Sequence, residues 1–446
     1  MEITKCVSTS GKKKHQCYIN IVVDIVHDIF LRLPAKSLLR FRCVSKKCCD
    51  IIDSVSFANM YELVCVEEPQ ILYTPLTLNL VKKLHSIAYD ETNYVMKKSE
   101  TSILEFSEEK HDYQLCHVAY GLLCIRDGGC HQQPESVFLF NPLTREVLEL
   151  PKAIDEVWKN TYKMWRPVWY GMGFDYTTNT IKVVRVFHRH QYETEVYTLG
   201  TNSWRRISSN PSCTLNLCGV TAYGDMHWMH HYYLNDKQYE KMITSFDFKK
   251  EEFKWTRHPN LEYNAFAPYK RISLITIKGS LAIVNILSYT QMEIWVLKDY
   301  DDKEDYYWVR EFKLCIKSIR LEDSWQGFWC LPEIFGAWGY GGLFLDTCHH
   351  EHYVIDMKKN HTHHISQCIL EEDYNCDERA VYSYTKSLVC LRNFGNSVEN
   401  HGYKFLKRIK SMNLMEITNS VAQMQIWVLK DYISTGEAFA SSQRTV

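Results

Sequence analysis

The stretch "RLPAKSLLRFRCVSKKCCDII", residues 32–52, is short, rich in leucine and basic residues, and has no acidic residue before Asp50. Just upstream, four apolar residues recur at every fourth position, which places them on one face of a helix: Ile21, Ile25, Ile29 and Leu33. Pro34 interrupts this helix. The pattern therefore predicts a helix that ends near residue 33, followed by at least one more.

Two further helices follow from the residues after Pro34. Lys36–Phe41 has helical spacing, and Ser45 is placed to cap a third helix that runs to about Asp53. Three helices in so few residues do not make a self-sufficient core. Both sides of the first helix are apolar, so the three helices leave apolar surface that they cannot bury among themselves. This surface either packs on the rest of the chain or binds a partner, and the pattern alone leaves both possibilities open.

The composition of the 446 residues is that of a globular protein with a net charge of −1. This charge gives no general attraction to nucleic acid, and no apolar run is long enough to span a bilayer, so neither partner is predicted. Seventeen cysteines are scattered without a CxxC pair or a secretory signal. Reduced thiols in the cytoplasm or nucleus are therefore expected.

Residues 24–57, "DIVHDIFLRLPAKSLLRFRCVSKKCCDIIDSVSF", closely resemble the plant F-box, which docks onto the Skp-type adaptor of an SCF (Skp–cullin–F-box) ubiquitin ligase. The resemblance implies adaptor contacts, or support of the helical unit, for a set of mainly apolar positions: Ile21, Val22, Ile25, Ile29, Leu33, Pro34, Leu38, Leu39, Arg42, Cys43, Val44 and Cys48. Neighbouring cations suit steering toward an acidic adaptor surface: Arg32, Lys36, Arg40, Arg42, Lys46 and Lys47.

Two positions depart from the F-box pattern. Ile21-Val22 stand where the family has Leu-Pro, and Cys48 stands where it has a tryptophan. Because a buried tryptophan is a strong packing and interface residue, these departures predict an intact fold with reduced affinity for the adaptor.

After residue 60, short strand-like runs alternate with polar turns. Five segments share the layout of a strand with an aromatic residue, a turn and a second strand; their aromatics are Phe138, Tyr197, Phe246, Trp295 and Tyr353. Their spacing of about fifty residues is typical of a β-propeller, for which we predict six blades without fixing the number. The expected fold class is mainly β with a small all-α N-terminal unit.

Three strand-rich stretches resemble the F-box-associated, kelch-like domain of plant F-box proteins, nearest to the S-locus F-box and F-box/kelch-repeat types: "FLFNPLTREVLELP", "GFDYTTNTIKVVRV" and "VYTLGTNSWRRI". The expected organisation is a disordered tail (1–18), an F-box (19–62), a linker with first strands (63–110), the associated propeller (111–395) and an atypical extension (396–446). In that extension "QMQIWVLKDY", residues 423–432, repeats "QMEIWVLKDY", residues 291–300, with one substitution.

No catalytic motif is present, and the histidine-rich stretch at 348–364 lacks the spacing of a zinc site, so neither cofactor nor metal is predicted. The expected function is that of a non-catalytic ubiquitin-ligase subunit. It would bind the Skp-type adaptor, through it a cullin–RING core, and an unknown protein target. Loop aromatics are the candidate target contacts: Trp158, Trp165, Trp169, Tyr232, Tyr233, Trp325 and Trp329.

Two alternatives remain open from the sequence. One is a propeller binding module whose F-box has decayed, which Cys48 favours. The other is a propeller enzyme acting on glycans, which requires a metal or a ring of acids and arginines on the central axis.

Overall fold

The computed structural model of the chain describes residues 23–64, 70–77, 80–81, 83–90, 95–98, 104–105, 113–127, 136–152, 168–188, 191–215, 219–231, 241–259, 261, 272–288, 291–300, 305–316, 333–338, 342–346, 352–365 and 378–394. The predicted tail (1–18) and extension (396–446) lie outside these residues, as do Ile21 and Val22.

The N-terminal unit has four helices where the sequence predicted three: α1 (Val23–Leu31), α2 (Ala35–Phe41), α3 (Lys46–Ile52) and α4 (Val55–Val64). The predicted interruption at Pro34 and the predicted cap at Ser45 are confirmed. Pro34 precedes α2 in an extended conformation, and the Ser45 hydroxyl accepts a hydrogen bond of 3.1 Å from the Cys48 amide. The fourth helix, α4, was not predicted; its first turn is capped by Ser54, whose hydroxyl accepts from the Phe57 amide at 3.2 Å.

The helices surround a small aromatic cluster. Phe57 packs edge-on against Phe30 and stacks on Tyr61, and all three rings are buried. The Tyr61 hydroxyl donates a hydrogen bond of 3.0 Å to the Leu33 carbonyl, which ties α4 to the end of α1. Because α4 supplies Phe57 and Tyr61, it completes a core that three helices alone would leave open.

The remainder of the described chain is mainly β-structure, with one short 3-10 helix at Leu391–Phe394. Its first five strands are β1 (Gln70–Thr77), β2 (Leu80–Val81), β3 (Lys83–Asp90), β4 (Val95–Lys98) and β5 (Leu104–Glu105). Blade 1 contains β6 (Tyr113–Ala119), β7 (Leu122–Asp127), β8 (Ser136–Asn141) and β9 (Glu146–Glu149). Blade 2 contains β10 (Val168–Asp175), β11 (Thr180–His188), β12 (Tyr192–Thr198) and β13 (Arg205–Ile207).

Blades 3 to 5 repeat this order. Blade 3 contains β14 (Val220–Ala222), β15 (Asp225–His231), β16 (Lys241–Asp247) and β17 (Glu252–Thr256). Blade 4 contains β18 (Ile272–Ile277), β19 (Ser280–Ser288), β20 (Gln291–Lys298) and β21 (Tyr307–Cys315). Blade 5 contains β22 (Glu333–Trp338), β23 (Gly342–Asp346), β24 (His352–Asp356) and β25 (His361–Ile365), and the last strand is β26 (Glu378–Tyr384).

Within the described ranges the propeller therefore has five regular four-stranded blades and one further sheet of different build. In this closing sheet β26 pairs antiparallel with β1, from Gln70 opposite Tyr384 to Leu76 opposite Glu378, and it contacts the first strands of blades 1 and 5. Residues 63–110, assigned from the sequence to a linker with first strands, thus contribute strands to the ring. The boundary at residue 111 is corrected to about residue 70, because β1 pairs with β26, which contacts the first strands of blades 1 and 5.

The five aromatics that defined the sequence repeat all lie on the third strand of a blade, from Phe138 on β8 to Tyr353 on β24. All but Trp295 are buried. The spacing of about fifty residues is therefore the blade repeat, which confirms the propeller fold class.

One hydrophobic core joins the helical unit to blades 1 and 2. It contains Leu38, Ile52 and Phe57 from the helices together with buried residues from both blades, such as Leu139 and Val183. The segment after β26 enters the same core through Leu388 and Leu391. Some apolar side chains of the helices are therefore buried against the propeller, while others stay exposed.

Candidate functional site

The exposed side of the helical unit carries large apolar side chains. Ile25 and Ile29 lie one turn apart on α1 and are 52% and 48% exposed. Phe41, at the end of α2, contacts Phe30 with ring centroids 5.5 Å apart, and Val44 follows in a turn that the Val44 amide closes on the Phe41 carbonyl. Ile25, Ile29, Phe41 and Val44 are named here the apolar face.

Cations accompany this face. Among the side chains whose burial the structure describes in or next to α1–α3, five exposed basic residues (Arg32, Lys36, Arg40, Lys46 and Lys47) stand against two exposed acids (Asp28 and Asp50). An exposed apolar patch beside an excess of positive charge suits a protein partner with an acidic surface.

The structure divides the sequence-predicted adaptor contacts into groups. Ile25, Ile29, Pro34, Cys43 and Val44 are exposed. Leu33, Leu39 and Cys48 are half-buried and pack against the core shared with the propeller.

For Leu38 and Arg42 the structure shows a role inside the helical unit. Leu38 is fully buried, so it supports the helical unit from inside and does not reach a partner. Arg42 forms an intramolecular ion pair, with its Nε 2.6 Å from the Asp53 carboxylate, which fastens the end of α2 to the end of α3. Phe41 and Met60, which the sequence analysis did not single out, are exposed at 37% and 41%.

The opposite side of the helical unit is anchored to the propeller at Glu146 on β9. This buried carboxylate accepts from the Leu391 amide at 2.7 Å and from the Cys390 thiol at 3.5 Å, and it lies 3.1 Å from Arg392 Nε and 4.0 Å from Arg42. Burial, followed by the charge of Glu146, raises the pKa of Cys390 to about 11, so this thiol stays protonated and donates.

A second anchor runs from Asn393, whose side-chain amide donates a hydrogen bond of 2.8 Å to the Asp53 carbonyl. Asn59 on α4 likewise reaches the Asn179 carbonyl in the turn between β10 and β11 at 3.4 Å. These contacts fix the helical unit against blades 1 and 2, while the side chains of the apolar face stay exposed.

The predicted target contacts have a different outcome. Trp169 is corrected, because it lies in β10, is 4% exposed and packs in the core between blades 2 and 3, where no target reaches it. The other six candidates lie outside the described residues: Trp158, Trp165, Tyr232, Tyr233, Trp325 and Trp329.

No group of three histidine, cysteine or acidic side chains that could hold a metal ion occurs in the described part of the chain. His361 and His363 on β25 are adjacent, with ring nitrogens 3.2 Å apart. None of the helices among the described residues is long and apolar enough to cross a membrane.

Comparison with protein families gives two matches along the chain. Residues 20–59 match the model described as "F-box domain", and residues 75–328 match that described as "F-box associated beta propeller domain". The propeller match begins within β1, in agreement with the corrected boundary of the propeller.

Curated relatives from Arabidopsis thaliana show the same pairing. The chain is 26% identical over 316 residues to F-box protein CPR1, covering 66% of this chain and 72% of that protein. It is 28% identical over 335 residues to F-box protein At4g19940, covering 70% and 76%. The F-box/kelch-repeat protein At3g23880 is 24% identical over 306 residues, covering 65% and 78%.

Proposed function

This chain belongs to the plant F-box proteins that carry an F-box-associated β-propeller domain, and we propose that it is the substrate-recognition subunit of an SCF ubiquitin ligase. In this role the apolar face docks on the Skp-type adaptor, and through it on a cullin–RING core. The propeller captures a protein target for ubiquitination and degradation. The chain itself makes and breaks no bond; it holds target lysines near the activated ubiquitin.

One observation carries this proposal: the helical unit leaves Ile25, Ile29, Phe41 and Val44 exposed while its other side is anchored to the propeller. Exposure of these apolar side chains to water is unfavourable, and their burial against a partner would contribute favourable free energy to binding. The free cysteines of the described residues support an address in the cytoplasm or nucleus.

The test is binding of the purified chain to a Skp-type adaptor, measured by calorimetry. We expect Ile25→Asp combined with Ile29→Asp to weaken binding at least about 100-fold, because two apolar contacts are replaced by desolvated charges. Both side chains are half-exposed, so the fold should tolerate the change. Tyr176→Asp, which alters a similarly exposed residue of the propeller (56%), is the matched control and should bind as the parent does.

The same binding experiment distinguishes our proposal from the alternative of a propeller binding module whose F-box no longer binds the adaptor. Cys48 is half-buried beside the shared core, where a tryptophan would add packing surface. Under our proposal Cys48→Trp binds the adaptor more tightly than the parent. If neither the parent nor Cys48→Trp binds, the chain is a propeller binding module without a ligase role. No observation in the described residues favours the glycan-enzyme alternative.

A further inference from the structure

The outer edge of blade 4 differs from the outer edges of the other blades. Its last strand, β21, has nine residues, whereas the last strands of blades 1, 2, 3 and 5 have three to five. Within the described residues, β21 pairs on one side only, with β20. A long edge of this kind presents unpaired backbone groups that favour the addition of another strand.

This edge is also apolar at one end. Tyr307 is 52% exposed and Val309 is 37% exposed. Val309 lies opposite Val296 of β20, so it continues the sheet surface that is buried further in at Val296. A strand added outside β21 would cover these two side chains, which contributes favourable apolar burial.

The sequence contains a second segment with the pattern of a blade 4 strand. β20, which pairs antiparallel with β21 from Gln291 opposite Cys315 to Lys298 opposite Tyr307, is repeated almost unchanged at residues 423–432. The copy preserves the alternation of Met424, Ile426 and Val428 on one face and Trp427 and Leu429 on the other.

The single difference between the two strands is Glu293 in β20 and Gln425 in the copy. Glu293 accepts from Arg310 at 2.8 Å and from the Trp295 indole at 3.3 Å. Glutamine keeps an acceptor oxygen but lacks the charge that Arg310 pairs with. β20 is also joined to β19 by two residues, so the copy is at a disadvantage for the place of β20, whereas the outer edge of β21 is open among the described strands of blade 4.

The connecting chain is long enough. Residues 395–422 provide 28 residues between Phe394 and the copy, which extend to about 90 Å. A domain the size of this propeller has a radius of gyration of roughly 20 Å, so the copy reaches any blade of its own chain.

We propose that residues 423–432 pair antiparallel with the outer edge of β21 in the same chain, as a fifth strand of blade 4 that covers Tyr307 and Val309. The extension would thereby close an edge that otherwise invites pairing between molecules. This inference is independent of adaptor binding.

The test is hydrogen–deuterium exchange of the intact chain, read by mass spectrometry on peptides that cover β21. Val428→Pro removes a backbone donor from the middle of the copy. We expect the β21 amides to exchange at least about 10-fold faster in Val428→Pro than in the parent, while the β19 amides are unchanged. Ala438→Pro, placed in the extension after the copy, is the matched control and should exchange as the parent does.

Two results would overturn the proposal. Equal exchange of β21 in all three chains would show that the copy does not cover this edge. Protection of β21 that appears only at concentrations where light scattering detects a dimer would show that a second molecule supplies the strand. Both substitutions lie outside the four described strands of blade 4, and unchanged exchange of the β19 amides checks that the blade itself stays folded.

Discussion

At the scale of single residues, several titratable side chains of the propeller are buried away from water. His117 on β6 is buried with its Nε2 2.7 Å from the Thr221 hydroxyl, and burial lowers its pKa to about 4. Burial also lowers the pKa of His227 on β15 to about 3. Burial raises the pKa of Asp225 to about 6, although Tyr300 donates to this carboxylate at 2.8 Å.

These shifts give opposite dependences of stability on pH. For each histidine the unfolded chain, with a pKa of about 6.5, binds the proton more readily, so the fold loses about 1.4 kcal/mol per pH unit as the pH falls below 6.5. For Asp225 the folded state binds the proton more readily between pH 4 and 6. The folded state therefore gains about 1.4 kcal/mol of stability per pH unit as the pH falls through that window.

We therefore expect Asp225→Asn to lose stability more steeply than the parent as the pH falls from 6 to 4. The difference in slope should be about 1.4 kcal/mol per pH unit, because asparagine has no proton to take up. Urea unfolding at pH 6, 5 and 4 measures it, with Asp50→Asn, an exposed carboxylate, as the control. Parallel stability profiles for Asp225→Asn and the parent would contradict this account.

Sequence reasoning at this scale identified residue types but not their surroundings. Ile25 and Val44 were predicted as contacts and are exposed, whereas Leu38, equally apolar, is fully buried. The helical period gives the face of a residue within its own helix but not what packs on that face. Arg42 could not be separated from its basic neighbours, because Asp53 meets it only after α2 and α3 have packed.

At the scale of elements, the segment after β26 is held by the end of β8. The buried Asn141 amide donates to the carbonyls of Ser387 and Val389 at 3.0 and 2.9 Å, while its oxygen accepts from the Leu143 amide at 2.9 Å. Gly121 makes room for the same segment, since it adopts φ of +64° and a Cβ there would lie 2.2 Å from Ser387.

The corresponding strand ends in blades 3 and 5 carry aspartates, Asp247 and Asp356, whose oxygens accept only turn amides or a cation. Blade 1 needs asparagine because its side chain must also donate. We expect Asn141→Asp to destabilise the chain by about 3 kcal/mol or more, since a buried carboxylate would face two carbonyls.

Chemical denaturation measures this loss, and limited proteolysis should show faster cleavage within residues 385–394. Asp356→Asn is the reciprocal control, because the turn that it closes needs only an acceptor, and its effect should stay below about 1 kcal/mol. A small effect of Asn141→Asp would mean that other contacts hold the segment.

The sequence predicted those elements that are marked by a pattern of residues close together in the chain. The strand, turn and strand layout located the third strand of every regular blade, and Ser45 located the start of α3. Pairing of β1 with β26 joins residues some three hundred positions apart, which leaves no local pattern to read. For the same reason residues 63–110 were predicted as a linker with first strands and not as part of the closing sheet.

At the scale of the whole molecule, the helical unit and the propeller share one core and two polar anchors. The helical unit is too small to be stable alone, and blades 1 and 2 would expose buried residues without it. The two parts should therefore unfold as one cooperative unit, which keeps the apolar face in a fixed orientation relative to the propeller.

Cooperative unfolding of the helical unit and the propeller can be tested with two independent measurements. All twelve tryptophans lie after residue 157, so tryptophan fluorescence reports on the chain beyond the helical unit, while exchange of the α1–α4 amides reports on the helices. We expect urea midpoints from fluorescence and from pulse-labelled amide exchange to coincide. A helical unit that opens well before the fluorescence change would show that the shared core contributes little, and the orientation of the apolar face would then be variable.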